Sequence, residues 1–188
     1  MKYDPNQLPS HQQREAAKRI VCALIQEAGN TFNGKTRLYK AFYWAHLHYW
    51  QHHDGVLTAY PIARMPYGPG IDRGEDLLFE MQCQHLIRIE SSGDPDFPEQ
   101  VFRLVADFPI NLTDDERESV RHGLAKVESR SGKQASADAH QQSRNWQRLP
   151  NGKIMNIYED LLPEAEVERS RLANTAIKAL LDQTLGQV

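Results

Sequence analysis

The sequence predicts an α+β fold: a mostly helical single domain spanning residues 1–188, with a small antiparallel β-sheet or hairpin. Three observations lead there. Apolar residues recur at helical spacing behind helix-start signals at Ser10, Asp72 and Thr113. The β-rich runs are short and bounded by Gly and Pro. A chain of 188 residues also fits one domain able to bury its own core.

The elements follow in order. Residues 1–9 read as an irregular lead-in. Ser10 with Gln13 starts a first helix that carries Ala17, Ile20, Val21, Leu24 and Ala28 at helical spacing and stops at Gly29. Residues 30–36 read as a polar connection. The central helix follows, with Leu38, Phe42, Ala45 and Tyr49 on one face and Tyr39, Tyr43, His46 and Trp50 on a second, and Asp54-Gly55 closes it. A β-rich run from Tyr60 to Met65 leads into the tight corner Pro66-Tyr67-Gly68-Pro69-Gly70.

Asp72 with Glu75 reads as the capped start of a third helix through Leu77, Leu78 and Met81. Two strands come next, Leu86 to Glu90 and Val101 to Val105, joined by a loop carrying Asp94, Asp96 and Glu99. Thr113 with Glu116 opens a helix through Val120, Leu124 and Val127. One short helix is expected from Ala135 to Arg148, a short strand from Lys153 to Ile157, and a last helix from about Pro163 using Val167, Ile177, Leu180, Leu181 and Leu185.

The formal net charge is −3, from 22 basic and 25 acidic side chains, so there is no global excess of cation for nucleic-acid phosphates or an anionic membrane. The polar start lacks the pattern of a signal peptide, and no apolar run approaches the roughly 20 residues of a membrane span. A cytoplasmic protein without membrane contact is expected. Its two cysteines, Cys22 and Cys83, read as small core side chains with no disulfide framework.

Three patterns carry candidate chemistry. Gly29 to Thr36 satisfies the spacing of a phosphate-binding loop, in which Gly34, Lys35 and Thr36 would hold phosphates and Mg²⁺, with Asp107 as a distant second acid. Such a loop joins a buried strand to a helix, whereas a helix pattern precedes Gly29, so a nucleotide-binding enzyme is an alternative reading. His48 and His52 are four apart on one helix face and could chelate a metal, but no third ligand follows and no cofactor is expected. A helix followed by two strands and a loop also matches a winged-helix DNA binder. Asp72, Glu75, Asp76 and Glu80 on that helix, against one Arg73, and the acidic loop would repel phosphates, so a DNA-binding regulator is a second alternative and nucleic acid is not the expected partner. No dedicated nucleophile or triad is apparent, and a non-enzymatic module is expected.

The segments RLYKAFYWA, IARMPYGP and SADAHQQSRNW, in this order, resemble the KLQKLLYFA helix, the Tyr-Gly-Pro corner and the later His-to-Trp segment of the Panacea domain, also called the SocA-like antitoxin domain. The likeness covers roughly residues 12–160, leaving 161–188 as a C-terminal helix packed on that region. Lys40, Tyr43, Tyr67, Gly68, Pro69, His140 and Trp146 match directly, while Met65 stands where a Trp is usual. The resemblance implies a prokaryotic or phage antitoxin that binds a cognate protein toxin directly, with delivery of that toxin to a protease as an extension. Tyr39, Trp50, Arg64 and Met65 are candidate partner-binding residues because aromatic, Met and Arg side chains are enriched at protein interfaces. The matched helix and corner are expected to pack against each other.

Overall fold

A computed structural model describes the backbone of residues 8–93, 98–105 and 110–185, with side chains through residue 175. Asp94, Asp96 and Asp107, and the side chains of Ile177, Leu180, Leu181 and Leu185, lie outside the described residues. The fold is α+β. Its helices surround one aromatic-rich central helix, with a three-stranded antiparallel sheet and a two-stranded hairpin at its flanks.

Helix α1 (His11–Glu27) opens on the expected reciprocal cap, in which Gln13 N–H donates to Ser10 Oγ at 3.2 Å and Ser10 N–H to Gln13 Oε1 at 2.8 Å. Strand β1 (Thr31–Asn33) replaces the expected polar connection and pairs antiparallel with residues 101–103, Phe32 opposite Phe102. A three-residue strand is too short to show alternation; its only apolar signal is Phe32, which is buried. Helix α2 (Lys35–His52) is the axis of the molecule, and every residue from Leu38 to His48 is buried. The two stripes seen in the sequence are therefore two sides of one enclosed helix.

Strand β2 (Ile62–Met65) forms a hairpin with β3 (Gly68–Ile71), where only a corner was expected after the first run. Gly-Pro-Gly has the composition least associated with strands, so β3 carries no propensity signal. Helix α3 (Gly74–Cys83) begins after Arg73 in a left-handed conformation, without the expected Asp72 cap. Asp72 N–H instead donates to Pro61 O at 3.0 Å, which extends the hairpin by one rung. Gly74 is required where the helix starts, because a Cβ there would lie 2.4 Å from Tyr39 Oη.

Strands β4 (Ile87–Ser92) and β5 (Glu99–Leu104) pair antiparallel, and β1 adds to give the order β1-β5-β4. Helix α4 (Asp114–Glu128) has the predicted Thr113–Glu116 box and packs along α2 more extensively than any other element. Gly123 lets the two backbones approach, since a Cβ there would be 2.3 Å from Ala41 O.

The single helix expected from Ala135 to Arg148 is two, α5 (Gly132–Gln142) and α6 (Arg144–Arg148). Buried Ser143 sits between them in an extended conformation: its hydroxyl accepts from Trp146 N–H at 3.1 Å to cap α6 and donates to Asp160 Oδ2 at 2.6 Å. The strand expected at Lys153 to Ile157 reduces to one bridge, Ile154 with Ala63, followed by a 3₁₀ turn, Ile157–Leu161. Helix α7 (Glu164–Leu185) starts directly after Pro163, and Val167 near its start is buried. Arg171 to Glu159 at 2.7 Å and an Arg148–Glu164 pair tie its first turns to the turn and to α6.

Cys22 is buried as expected, but Cys83 is exposed at the solvent side of the last turn of α3. Lys18, fully buried, reaches Glu15 and Glu80 at 2.7 Å and Gln84 at 2.9 Å, which joins α1 to α3.

Candidate functional site

The β2–β3 turn lies against α2, α5 and α6, and three side chains clamp it. Trp146 Nε1 on α6 donates to Met65 O at 2.7 Å, Ser136 Oγ on α5 to Tyr67 O at 2.6 Å, and Lys40 Nζ on α2 to Pro69 O at 2.6 Å. Alternate carbonyls along 65–69 thus each take a donor from a different helix. The expected packing of the central helix on the Tyr-Gly-Pro corner is present, and the structure brings Lys40, Tyr67, Gly68, Pro69, His140 and Trp146 together. Gly68 has φ of +100°, and a Cβ there would lie 3.0 Å from both Lys40 Nζ and His140 Cδ2. Backbone geometry and close approach both require glycine at this point.

Lys40 is only 2% exposed, and burial pulls its ammonium down to about 7. Nearby His140 is also held below the usual imidazole range, by burial first and then by the Lys40 charge. Its ring stacks on Trp146 with centroids 3.6 Å apart, and the Arg64 guanidinium lies 4.3 Å from the same indole. Because the Ser136 hydroxyl proton goes to Tyr67 O, the 3.3 Å contact of Ser136 Oγ with His140 Nε2 places the imidazole proton on Nε2.

Tyr67, whose backbone is so firmly held, leaves its own side chain 70% exposed. It stands at an open groove of about 900 Å³ lined by Thr36, Gly132, Lys133, Ser136, Ala137 and His140.

Tyr43, matched with the corner in the sequence, serves a neighbouring network instead. Its hydroxyl lies 3.3 Å from Asp160 Oδ2, which also takes Ser143 Oγ, while Asp160 Oδ1 accepts Asn145 N–H at 2.9 Å. The candidate partner-binding residues separate. Arg64 and Met65 are at the corner, with Arg64 also bonded to Asn151 and Trp146 O. Trp50 stacks on Tyr158 farther along α2, at 5.4 Å between centroids. Tyr39 is buried under Gly74 and α3, so it presents no contact face.

The Gly29 to Thr36 segment follows a helix and contains β1. Gly34 N–H donates to Gln100 O at 2.8 Å, a Cβ at Gly34 would meet Glu99 Oε1 at 2.7 Å, and Lys35 pairs with Glu75. The Gly34 amide is thus spent on a strand rung, and two carboxylates stand beside the loop, unlike a cradle of free amides turned toward an anion. His48 packs against His52 at 4.5 Å and against His122 at 4.2 Å, with Nδ1 on Ser119 Oγ at 3.0 Å. Among the described residues no group of three or more His, Cys, Asp or Glu side chains has metal-holding geometry. Helix α3 is followed by the β4–β5 pair, with β1 on the other side of β5. The outward face of α3 shows Glu75, Asp76 and Phe79, the last 66% exposed, which is a poor surface for phosphates.

Three contributors escaped the sequence reading: Ser136, Asp160 and His122. Ser136 could have been found from its position one helical turn before His140, on the same face. Asp160 and His122 meet their partners only across the fold and leave no local signal. Comparisons with protein-family models, with curated proteins and with solved structures each returned no match.

Proposed function

We propose that this chain is a non-enzymatic protein-interaction module that acts in the cytoplasm and neutralises a cognate protein toxin by direct binding, with Tyr67 and its corner as the contact. The observation that carries this reading is the pairing of an exposed tyrosine with a backbone clamped from three helices. A rigid aromatic anchor loses little conformational freedom on binding, and tyrosine is among the residues that dominate interface energies. The order of the Lys40, Tyr67-Gly68-Pro69 and His140-to-Trp146 segments, which resembles SocA-like antitoxins, supports the same reading. Delivery of the bound toxin to a protease is the extension that this resemblance carries.

Co-expression with the product of the neighbouring gene tests the proposal. That product is expected to arrest growth alone, to be tolerated beside this chain and to co-purify with it. Tyr67→Ala, which changes an exposed side chain, is expected to weaken the complex by about 30-fold, corresponding to about 2 kcal/mol. A neighbour that is neither toxic nor bound overturns the assignment.

A further inference from the structure

Resting on that reading, we infer that the groove beside Tyr67 takes an acidic segment of the partner protein, a carboxylate flanked by an apolar side chain. Most cations around the groove are already matched. Arg130 pairs with Asp138 at 3.2 Å, Lys35 pairs with Glu75, and Arg37 donates to Val127 O and Glu128 O at 3.2 and 3.1 Å. Lys133 differs: it is exposed, lines the groove and has no ion pair among the described residues. Among the described residues lining the groove, none is a carboxylate. On a chain of net charge −3 this is a local positive surplus, the condition under which an acidic partner is steered and oriented.

Helix geometry adds to the charge. Gly132 is the first residue of α5, so the positive end of that helix lies at the groove, and a Cβ at Gly132 would be 3.6 Å from Thr36 Cβ on the opposite wall. The remaining surface is supplied by the Tyr67 ring, Ala137 and the Thr36 methyl, which suit an apolar neighbour of the carboxylate. One unpaired lysine matches one or two carboxylates. A nucleic-acid backbone would need a longer run of cations to hold it at physiological salt.

The test is a titration of the ¹⁵N-labelled full chain with the blocked peptide Ac-Glu-Leu-Phe-Glu-NH₂, alongside its neutral counterpart Ac-Gln-Leu-Phe-Gln-NH₂ and inorganic phosphate. The acidic peptide is expected to shift the amides of Thr36, Tyr67, Lys133 and His140, and to bind at least about tenfold more tightly than the neutral one. Lys133→Glu is expected to remove that preference while leaving amide shifts distant from the groove in place. Equal binding of the neutral peptide, shifts that map elsewhere, or full competition by phosphate would each overturn the inference. The two proposals fail separately: a Lys133→Glu chain that still binds and neutralises its toxin fully sinks the acidic-segment inference and leaves toxin binding standing. An acidic peptide seated at Tyr67 with no toxin bound does the reverse.

Discussion

His46 shows how far burial moves one side chain from its ordinary chemistry. The ring is fully enclosed, Nδ1 donates to Phe42 O at 2.8 Å, and Nε2 accepts the hydroxyl proton of Thr58 at 2.8 Å. Thr58 Oγ1 accepts Tyr60 N–H in turn, so its proton is free for the imidazole. Burial lowers the ring from 6.5 to about 4. The neutral form belongs to the fold, and between those values the unfolded chain binds the extra proton, so stability falls as pH drops through this window. By linkage His46 alone accounts for about 3 kcal/mol. His48, His122 and His140 are lowered as well and act in the same direction. Urea midpoints are expected to decline steadily from pH 6.5 to pH 4.

Lys40 works in another window. Its value falls from 10.5 to about 7, so the unfolded chain again holds the extra proton and stability rises from pH 7 toward pH 9. Lys40→Met is expected to lack that rise, measured by the same urea midpoints. Sequence spacing put His46 on the helix stripe and resemblance singled out Lys40, but neither discloses burial, which depends on what the rest of the chain lays over them.

At the scale of elements, the crossing of α2 and α4 rests on Gly123. Alanine there gains about 1 kcal/mol in helix propensity, but its Cβ would press into the backbone of α2 at Ala41 O and Ala45 N. Overpacking against backbone costs more than propensity returns, and Gly123→Ala is expected to lower stability by about 2 kcal/mol net in urea denaturation. A glycine inside a helix pattern reads locally as a weakness; only the opposing helix shows its purpose. The capped helices α1 and α4 were legible because Ser10–Gln13 and Thr113–Glu116 carry their own start signals. Strand β1, strand β3 and the Ser143 break were not. β1 exists because β5 offers it a ladder, β3 because β2 does, and the break because Asp160 draws Ser143 aside. Each is set by a partner distant in sequence.

The whole molecule is tied by long-range ion pairs that no local pattern announces. Arg19 grips Glu116 with two bonds of 2.6 and 2.8 Å, and Glu27 receives Arg117 at 3.1 Å and Arg121 at 2.9 Å, so α1 and α4 are fastened at several levels. Lys18 fastens α1 to α3, and the corner fastens α5 and α6 to α2. One cooperative unfolding transition follows from this cross-bracing. Fluorescence of Trp44, Trp50 and Trp146, which sample α2 and α6, is expected to trace the same urea curve as far-ultraviolet circular dichroism. Separate midpoints would mean that the α5–α6 region unfolds as its own unit. The alternate-carbonyl clamp on the turn also has a mechanical side. A body mounted on three separate arms can be turned only by moving all of its arms or releasing one, so a load applied at Tyr67 is shared among α2, α5 and α6, and the ring acts as the handle of a lever whose fulcrum is the centre of the fold.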